Sequence, residues 1–173
     1  MNNFWIAIDY INTTIYHSIG MNINSIIEES QNHDYGAGKF DIDTGTNVRA
    51  VRFRVAKITP TKLGQFVSCW EKDIHNKNTA YTNQNAPDLL VITVFSIHGV
   101  FGQFVFPKNI LLSKNILRTD TTQGKMAFRV YPSWVQVVSQ SAVQTQRWQL
   151  DYFFEVNDIS KLPTQRILAL YNQ

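Results

Sequence analysis

The chain has 173 residues, of which 44% are apolar and 13% aromatic, with 8 Gly and 5 Pro, which excludes a disordered, collagen-like or low-complexity protein. Its one cysteine, Cys69, excludes an internal disulfide and a Cys-based zinc site and fits a reducing compartment. The net charge of +3 is unevenly spread: residues 1–34 hold four acids and no Lys or Arg, whereas residues 35–77 and 100–150 are both basic.

Phe4, Ile8, Ile11 and Ile15 recur at helical spacing, which predicts an amphipathic helix over residues 4–17. Ser25 and Glu28 stand at capping-box spacing and predict a second, short helix over residues 25–31, ended by Gly36 and Gly38. Residues 39–43 alternate as a strand, Gly45 and Asn47 make a turn, and residues 48–58 alternate again. In that second strand Val51, Phe53 and Val55 point one way and Arg52 and Arg54 the other, which predicts a basic outer face. Residues 65–73 form a third strand, followed by a polar loop over residues 76–86.

Residues 89–95 are apolar at every position but Thr93, as a strand covered on both faces would be. The whole apolar run there is nine residues, ending at Ile97, too short to span a bilayer. His98 and Gly99 turn the chain into a strand over residues 101–106, and Pro107 opens a helix to about Lys114. Residues 125–131 alternate, with Met126, Phe128 and Val130 facing in and Lys125, Arg129 and Tyr131 out; Pro132 stops the strand. Residues 140–154 read as the last helix. The element order predicts an α/β (α+β mixed) domain with a single twisted mixed sheet flanked by helices. One domain is expected over residues 1–173: an N-terminal helical segment (1–34), a core (35–156) and a C-terminal extension (157–173).

Phosphate-loop glycine patterns are absent, and His17, His33, His75 and His98 lack metal-ligand spacing. Cys69, mid-strand beside Trp70, is expected to be an inert thiol. Pro87-Asp88 starts a nuclease-like pattern of acids converging on a metal with a Lys beside them. The residue two before Lys108, which should be acidic, is Phe106, so Asp88, Phe106 and Lys108 form a degenerate set. Asp41 and Asp43 share a strand face but read as a surface pair beside Lys39. No catalytic residue, metal ligand or cofactor is assigned.

What remains is a combination of bases, amides and aromatics. Lys57, Thr59 and Lys62 surround Pro60, and Gln65, Trp70 and Lys72 follow on the next strand. Lys125, Arg129, Tyr131 and Trp134 form a second set, and Arg147, Trp148 and Gln149 a third. Lys and Arg with neutral donors suit phosphates, and flat rings suit unpaired bases. Because the bases lie on strands and loops rather than on a recognition helix, a single strand fits better than a duplex. The competing expectation places Trp70, Trp134 and Trp148 in the core.

Four segments in order, FRVAKITPTKLGQFVSCW (residues 53–70), GQFVFPK (102–108), GKMAFRVYPSW (124–134) and TQRWQLDYF (145–153), resemble the MepB family, and the resemblance runs from about residue 35 to 156. It implies a small bacterial cytoplasmic protein, in some members encoded beside a multidrug efflux pump and its repressor. It also implies a fold like that of the PD-(D/E)XK restriction endonucleases without their catalytic acids, acting through nucleic acids. The resemblance puts Lys57, Thr59, Lys62, Gln65, Lys108, Lys125, Arg129 and Trp134 on one shared surface. With the charge pattern this makes Arg52, Arg54, Lys57, Thr59, Lys62, Gln65, Trp70, Lys108, Lys125, Arg129, Tyr131 and Trp134 the candidate nucleic-acid contacts. The expected partner is RNA or single-stranded DNA, with duplex DNA weaker and no membrane; the alternatives are a divergent Mg²⁺ nuclease and a small-molecule-binding protein.

Overall fold

The computed structural model describes residues 3–173. Asn3 caps helix α1 (Phe4–Ile11), its Oδ1 accepting the Ile6 N–H at 3.1 Å. The helix runs on through a wide π turn (Asn12–Tyr16) and a tight turn (His17–Ile19) to Gly20. Phe4, Ala7, Ile8, Ile11 and Ile15 are buried, so the predicted apolar stripe is the packed one.

Six strands form the main sheet in the order β1-β2-β3-β8-β9-β11: β1 (Asn22–Glu28), β2 (Gly38–Asp43), β3 (Val48–Val55), β8 (Leu89–Phe95), β9 (Phe101–Pro107) and β11 (Phe153–Val156). Only β3 and β8 run parallel; the other neighbours are antiparallel. A smaller sheet, ordered β10-β5-β4, combines β4 (Lys57–Thr59), β5 (Lys62–Ser68) and β10 (Ala127–Val130). A two-stranded ribbon pairs β6 (Trp70–Lys72) with β7 (Asn78–Ala80).

The main sheet is covered on both faces. Leu89 and Val91 of β8 join α1 and the C-terminal helix α4 (Thr164–Tyr171) in one apolar cluster. Leu90, Ile92 and Val94 turn the other way, toward α2 (Lys108–Ser113), Val67 and Val130 of the small sheet, and Trp148 of α3 (Gln140–Leu150). The expected mixed sheet between helices is therefore present, and β8 has the expected two-sided burial. Among the described residues, no helix is long and apolar enough to cross a membrane.

Six expectations change. The strand over 65–73 is interrupted at Cys69 and divides between β5 of the small sheet and β6 of the ribbon, and the polar loop over 76–86 contains β7. Residues 25–31 are not a helix. Asn22–Glu28 is an edge strand, with Ser25 at φ 54° inside a bulge that shifts the register to β2. Pairing along β2 outweighs a capping box that leads into no apolar helical face. The single strand over 48–58 breaks at Ala56, whose N–H bonds Thr93 O at 2.9 Å, and β4 leaves for the small sheet. Gln140–Leu150 ends four residues early, because Phe153 and Phe154 pair with β9 as β11. Helix α4 appears where no element was expected. Its Tyr171 hydroxyl donates to Gln103 Oε1 (2.9 Å) and lies 2.8 Å from the Tyr16 hydroxyl, while Gln103 Nε2 donates to Thr93 (3.0 Å). Burial pushes the Tyr16 phenol up to about 12 and raises that of Tyr171 well above its ordinary value.

Candidate functional site

Arg52 and Arg54 do not form a basic outer face. Arg54 is 0% and Arg52 3% exposed, under the small sheet and the β6–β7 ribbon. Both converge on Glu29, just after β1: Arg54 Nη1 lies 2.7 Å and Arg52 Nε 3.2 Å from its carboxylate, with Lys39 Nζ at 3.4 Å. The Arg52 guanidinium lies over the Tyr81 ring at 3.6 Å, and Arg54 also donates to Tyr81 Oη, Ser68 O and Phe53 O. Burial would lower the Arg54 pKa, but Tyr81 and Glu29 outweigh it and raise it. Burial pushes the neighbouring Cys69 thiol up to about 11, against the pull of Arg54 and Arg52. This is an internal ion cluster holding β3 to its cover, and the outward reading of the two arginines is corrected accordingly.

Past the Ala56 break the situation reverses. Cross-strand register aligns Lys57 of β4 with Phe66 of β5, and Phe66 with Arg129 of β10, so the three side chains share one face of the small sheet. Tyr35, in a tight turn closed by Gly36, completes a row. Lys57 Nζ is 4.7 Å from the Tyr35 ring, the Tyr35 and Phe66 rings are 6.0 Å apart, and the Arg129 guanidinium is 5.6 Å from Phe66. All four side chains are half-buried, with one side open to solvent.

Thr59 and Tyr131 extend the row. Arg129 Nη2 donates to Thr59 Oγ1 (2.9 Å), and Nη1 faces the carbonyls of Leu63 and Gly64 at 3.4 and 3.3 Å, so Arg129 stitches the β4–β5 hairpin to β10. Tyr131 lies over Gly64 (φ 74°), where a Cβ would come within 2.6 Å of its ring; glycine both permits the turn and leaves room for the aromatic. The Asp34 carboxylate, 3.9 Å from Lys57 Nζ, is a solvent-screened rim partner.

Lys125, Arg129, Tyr131, Thr145 and Trp148 surround a shallow cavity of about 400 Å³ where β10 meets α3, so the second and third sequence sets meet there. Gln149 from the third set is buried and structural: its Oε1 accepts the Tyr131 N–H (2.9 Å) and its Nε2 donates to Arg129 O (2.9 Å), replacing a strand on the β10 edge. Lys62 is exposed at the tip of the β4–β5 hairpin. Gln65 is corrected from a surface contact: it faces away from the row, is 2% exposed, and donates to Phe95 O at 2.9 Å. Trp134 also lies on that other side, edge-on to Phe153 at 5.8 Å. Trp70 belongs to the ribbon, under Lys72.

The degenerate positions lie elsewhere. Asp88 Oδ2 accepts the Ala50 N–H (2.9 Å), and Lys108 starts α2 with its N–H on Asp88 O (3.0 Å). Phe106, where an acid would have to stand, is in the core against Phe104 and Trp148 at ring distances of 5.5 and 5.3 Å. Asp43 holds the Gly45 N–H of a turn. Among the described residues no three His, Cys, Asp or Glu side chains are placed so that they could hold a metal ion.

Sequence reasoning missed Tyr35 and Phe66. Phe66 was legible: with Gln65 and Val67 inward, strand parity puts an aromatic on the open face. Tyr35 carried no such signal, because its position depends on the Asn32 and Gly36 turn, both at positive φ.

A family model described as MepB-like matches residues 29–155. The chain belongs to the MepB-like family. A solved structure described as the crystal structure of MepB is 38% identical, covers 89% of this chain and 97% of its own, and superposes with a TM-score of 0.75. A bacterial homing endonuclease, I-Ssp6803I, is a distant likeness at 14% identity and a TM-score of 0.46, over 83% of this chain and 89% of its own. Among curated proteins nothing matches. The MepB-like match takes in Glu29, the buried arginines and the whole small sheet, so both charge clusters lie inside the family's region.

Proposed function

We propose that this MepB-like chain is a nucleic-acid-binding protein of the cytoplasm whose open small-sheet face takes RNA or single-stranded DNA in preference to duplex DNA. The observation that carries the reading is the row Lys57–Tyr35–Phe66–Arg129, in which two neighbouring half-open rings are flanked by a cation at each end, at spacings of 4.7 to 6.0 Å. Lys57, with Lys62 and Lys125 beyond the row, neutralises phosphates; Tyr35, Phe66 and Tyr131 offer faces on which unpaired bases stack. Arg129 is spent largely on holding the hairpin, so it shapes the surface more than it meets the strand.

Binding without cleavage is the proposed mode, because Phe106 fills the acid position and, among the described residues, Asp88 joins no group of acids that could hold a metal ion, one of its oxygens accepting the Ala50 N–H.

The test is fluorescence anisotropy of a labelled single-stranded RNA and a matched DNA duplex at about 50 and 200 mM salt. Tighter binding to the single strand, weakened by salt and by Lys57→Glu with Lys62→Glu, supports the reading. No binding at either salt removes it. Cleavage of the RNA in Mg²⁺ or Mn²⁺, abolished by Asp88→Ala, would replace it with a nuclease.

A further inference from the structure

β10 is an edge strand of the small sheet, so only one of its two rows of backbone groups is paired with β5. Alternation assigns the rows. The Cys69 N–H donates to Met126 O (2.7 Å), so residues 126, 128 and 130 bond toward β5, while Ala127, Arg129 and Tyr131 turn their N–H and C=O groups to the other edge. That edge borders the cavity of about 400 Å³ beside α3, which Ala127, Phe128, Arg129 and Gln149 all line.

The edge is capped at both ends. At one, the Gln149 carboxamide spans Arg129 O and the Tyr131 N–H, a single planar group supplying donor and acceptor at 2.9 Å each. At the other, Ile116 O accepts the Lys125 N–H (2.9 Å). The slot next to Gln149, formed by Ala127 O and the Arg129 N–H, has the same construction, because the pleat repeats every two residues. Among the described residues nothing bonds either group. Ala127 and Arg129 are only half-buried, so the slot is reached from the cavity.

Gln149 shows what such a slot takes: a planar group with a donor and an acceptor side by side. An added peptide strand needs a longer free edge, and the Gln149 side chain stands across its path. An unpaired base meets the requirement, since each of the four presents a donor beside an acceptor on its Watson–Crick edge. The surroundings suit a base within a strand. Tyr131 and Trp148 line the cavity with flat rings, Lys125 and Arg129 line it with cations, and Lys114 Nζ lies 5.3 Å from the Trp148 ring; among the described residues no acid lines it.

We infer that the open edge of β10 reads one unpaired base of the bound strand on its Watson–Crick edge, the Arg129 N–H donating to the base and Ala127 O accepting from it. The inference rests on the strand-binding reading and adds a physical reason for its preference: in a duplex that base edge is already paired, so the slot has nothing to bond.

Titration with hexa-uridylate and with a hexamer of 3-methyluridylate, which carries a methyl group in place of the N3 proton and keeps the phosphates and rings, tests it. Hexa-uridylate should bind about tenfold tighter. In ¹⁵N-labelled protein the Arg129 amide resonance should move downfield with hexa-uridylate and stay in place with the methylated hexamer. Thr145→Trp, which fills the cavity from a half-open position on α3, should abolish the difference between the hexamers. Lys57→Glu, on the row, should weaken both alike and keep their ratio. Equal affinities, an Arg129 amide that does not move, or a difference that survives Thr145→Trp overturns the inference and leaves strand binding standing. Binding of neither hexamer removes both readings.

Discussion

Arg52, Arg54 and Lys57 lie within six residues of one another, yet two are sealed in an ion cluster and the third faces solvent. The change happens at Ala56, where the chain bonds to Thr93 and leaves the main sheet for the small one. Before the break, the face that bears the arginines is roofed by Tyr81, Ser68 and Cys69, and the charge survives only because Glu29 and Tyr81 answer it. After it, Lys57 meets the Tyr35 ring and a screened Asp34, with Phe66 as its cross-strand neighbour. Identical charge on one short stretch of chain thus stabilises the fold on one side of a strand break and is free for a ligand on the other. A map of basic residues along the chain does not reveal a binding surface until the cover over each is known.

The comparison breaks most visibly at Arg54. Arg54→Ala should cost about 3–5 kcal/mol, since it leaves Glu29 buried and short of a partner. Denaturant unfolding reads that loss; a change below 1 kcal/mol would mean that the cluster is not the internal brace its burial implies. Lys57→Glu should do the opposite, moving stability by no more than about 0.5 kcal/mol while weakening strand binding. Phe66→Ala should weaken single-strand binding by about 1–3 kcal/mol if a base stacks there, with duplex binding little affected. Anisotropy on both ligands separates the two effects.

Smaller effects sharpen the contrast. The Gly64→Ala variant should lose about 1 kcal/mol and displace Tyr131, because the position has φ 74° and a Cβ would meet the ring. Its thermal midpoint and the ring resonances of Tyr131 report the two consequences. The Cys69 thiol keeps its proton to about 11 when folded but ionises near its ordinary value of 9.0 when unfolded. Its contribution is therefore complete below pH 9 and declines as pH rises toward 11, the unfolded chain having released a proton that the native chain holds. Unfolding midpoints at pH 8 and 10 should fall in that order, and a Cys69→Ala variant should flatten the slope. Iodoacetamide should label Cys69 only after denaturation.

The apolar periodicities were strong local signals, and the structure follows them at α1, β2, β8 and β9. The capping box at Ser25 and the helix drawn through Phe153 were local signals that strand pairing overrode, and pairing is a property of the partner as much as of the segment. α4 went unseen because residues 157–173 begin with polar and Pro residues, while its buried side, Ile167, Leu170 and Tyr171, becomes intelligible only against Gln103 and Tyr16. Among the site residues, Arg129 and Tyr131 share a face as strand parity suggests, whereas Lys57 and Thr59 join them only through the register of β4 and β5 beside β10. Gln65, Trp134 and Trp70 fall off that surface because alternation identifies two faces and does not say which one is covered.

What the amino-acid sequence determined by itself was local: where apolar side chains repeat, where turns fall, which acid is missing before Lys108, and the four segments that mark the family. Tertiary structure alone decided which charges are buried. The dielectric around Arg54 and around Lys57 is set by what packs over each, and those covers come from Glu29, Ser68 and Tyr81 for the one and from Tyr35 for the other. Chain separation of 14 to 27 residues between each charge and its cover puts that information beyond any local pattern.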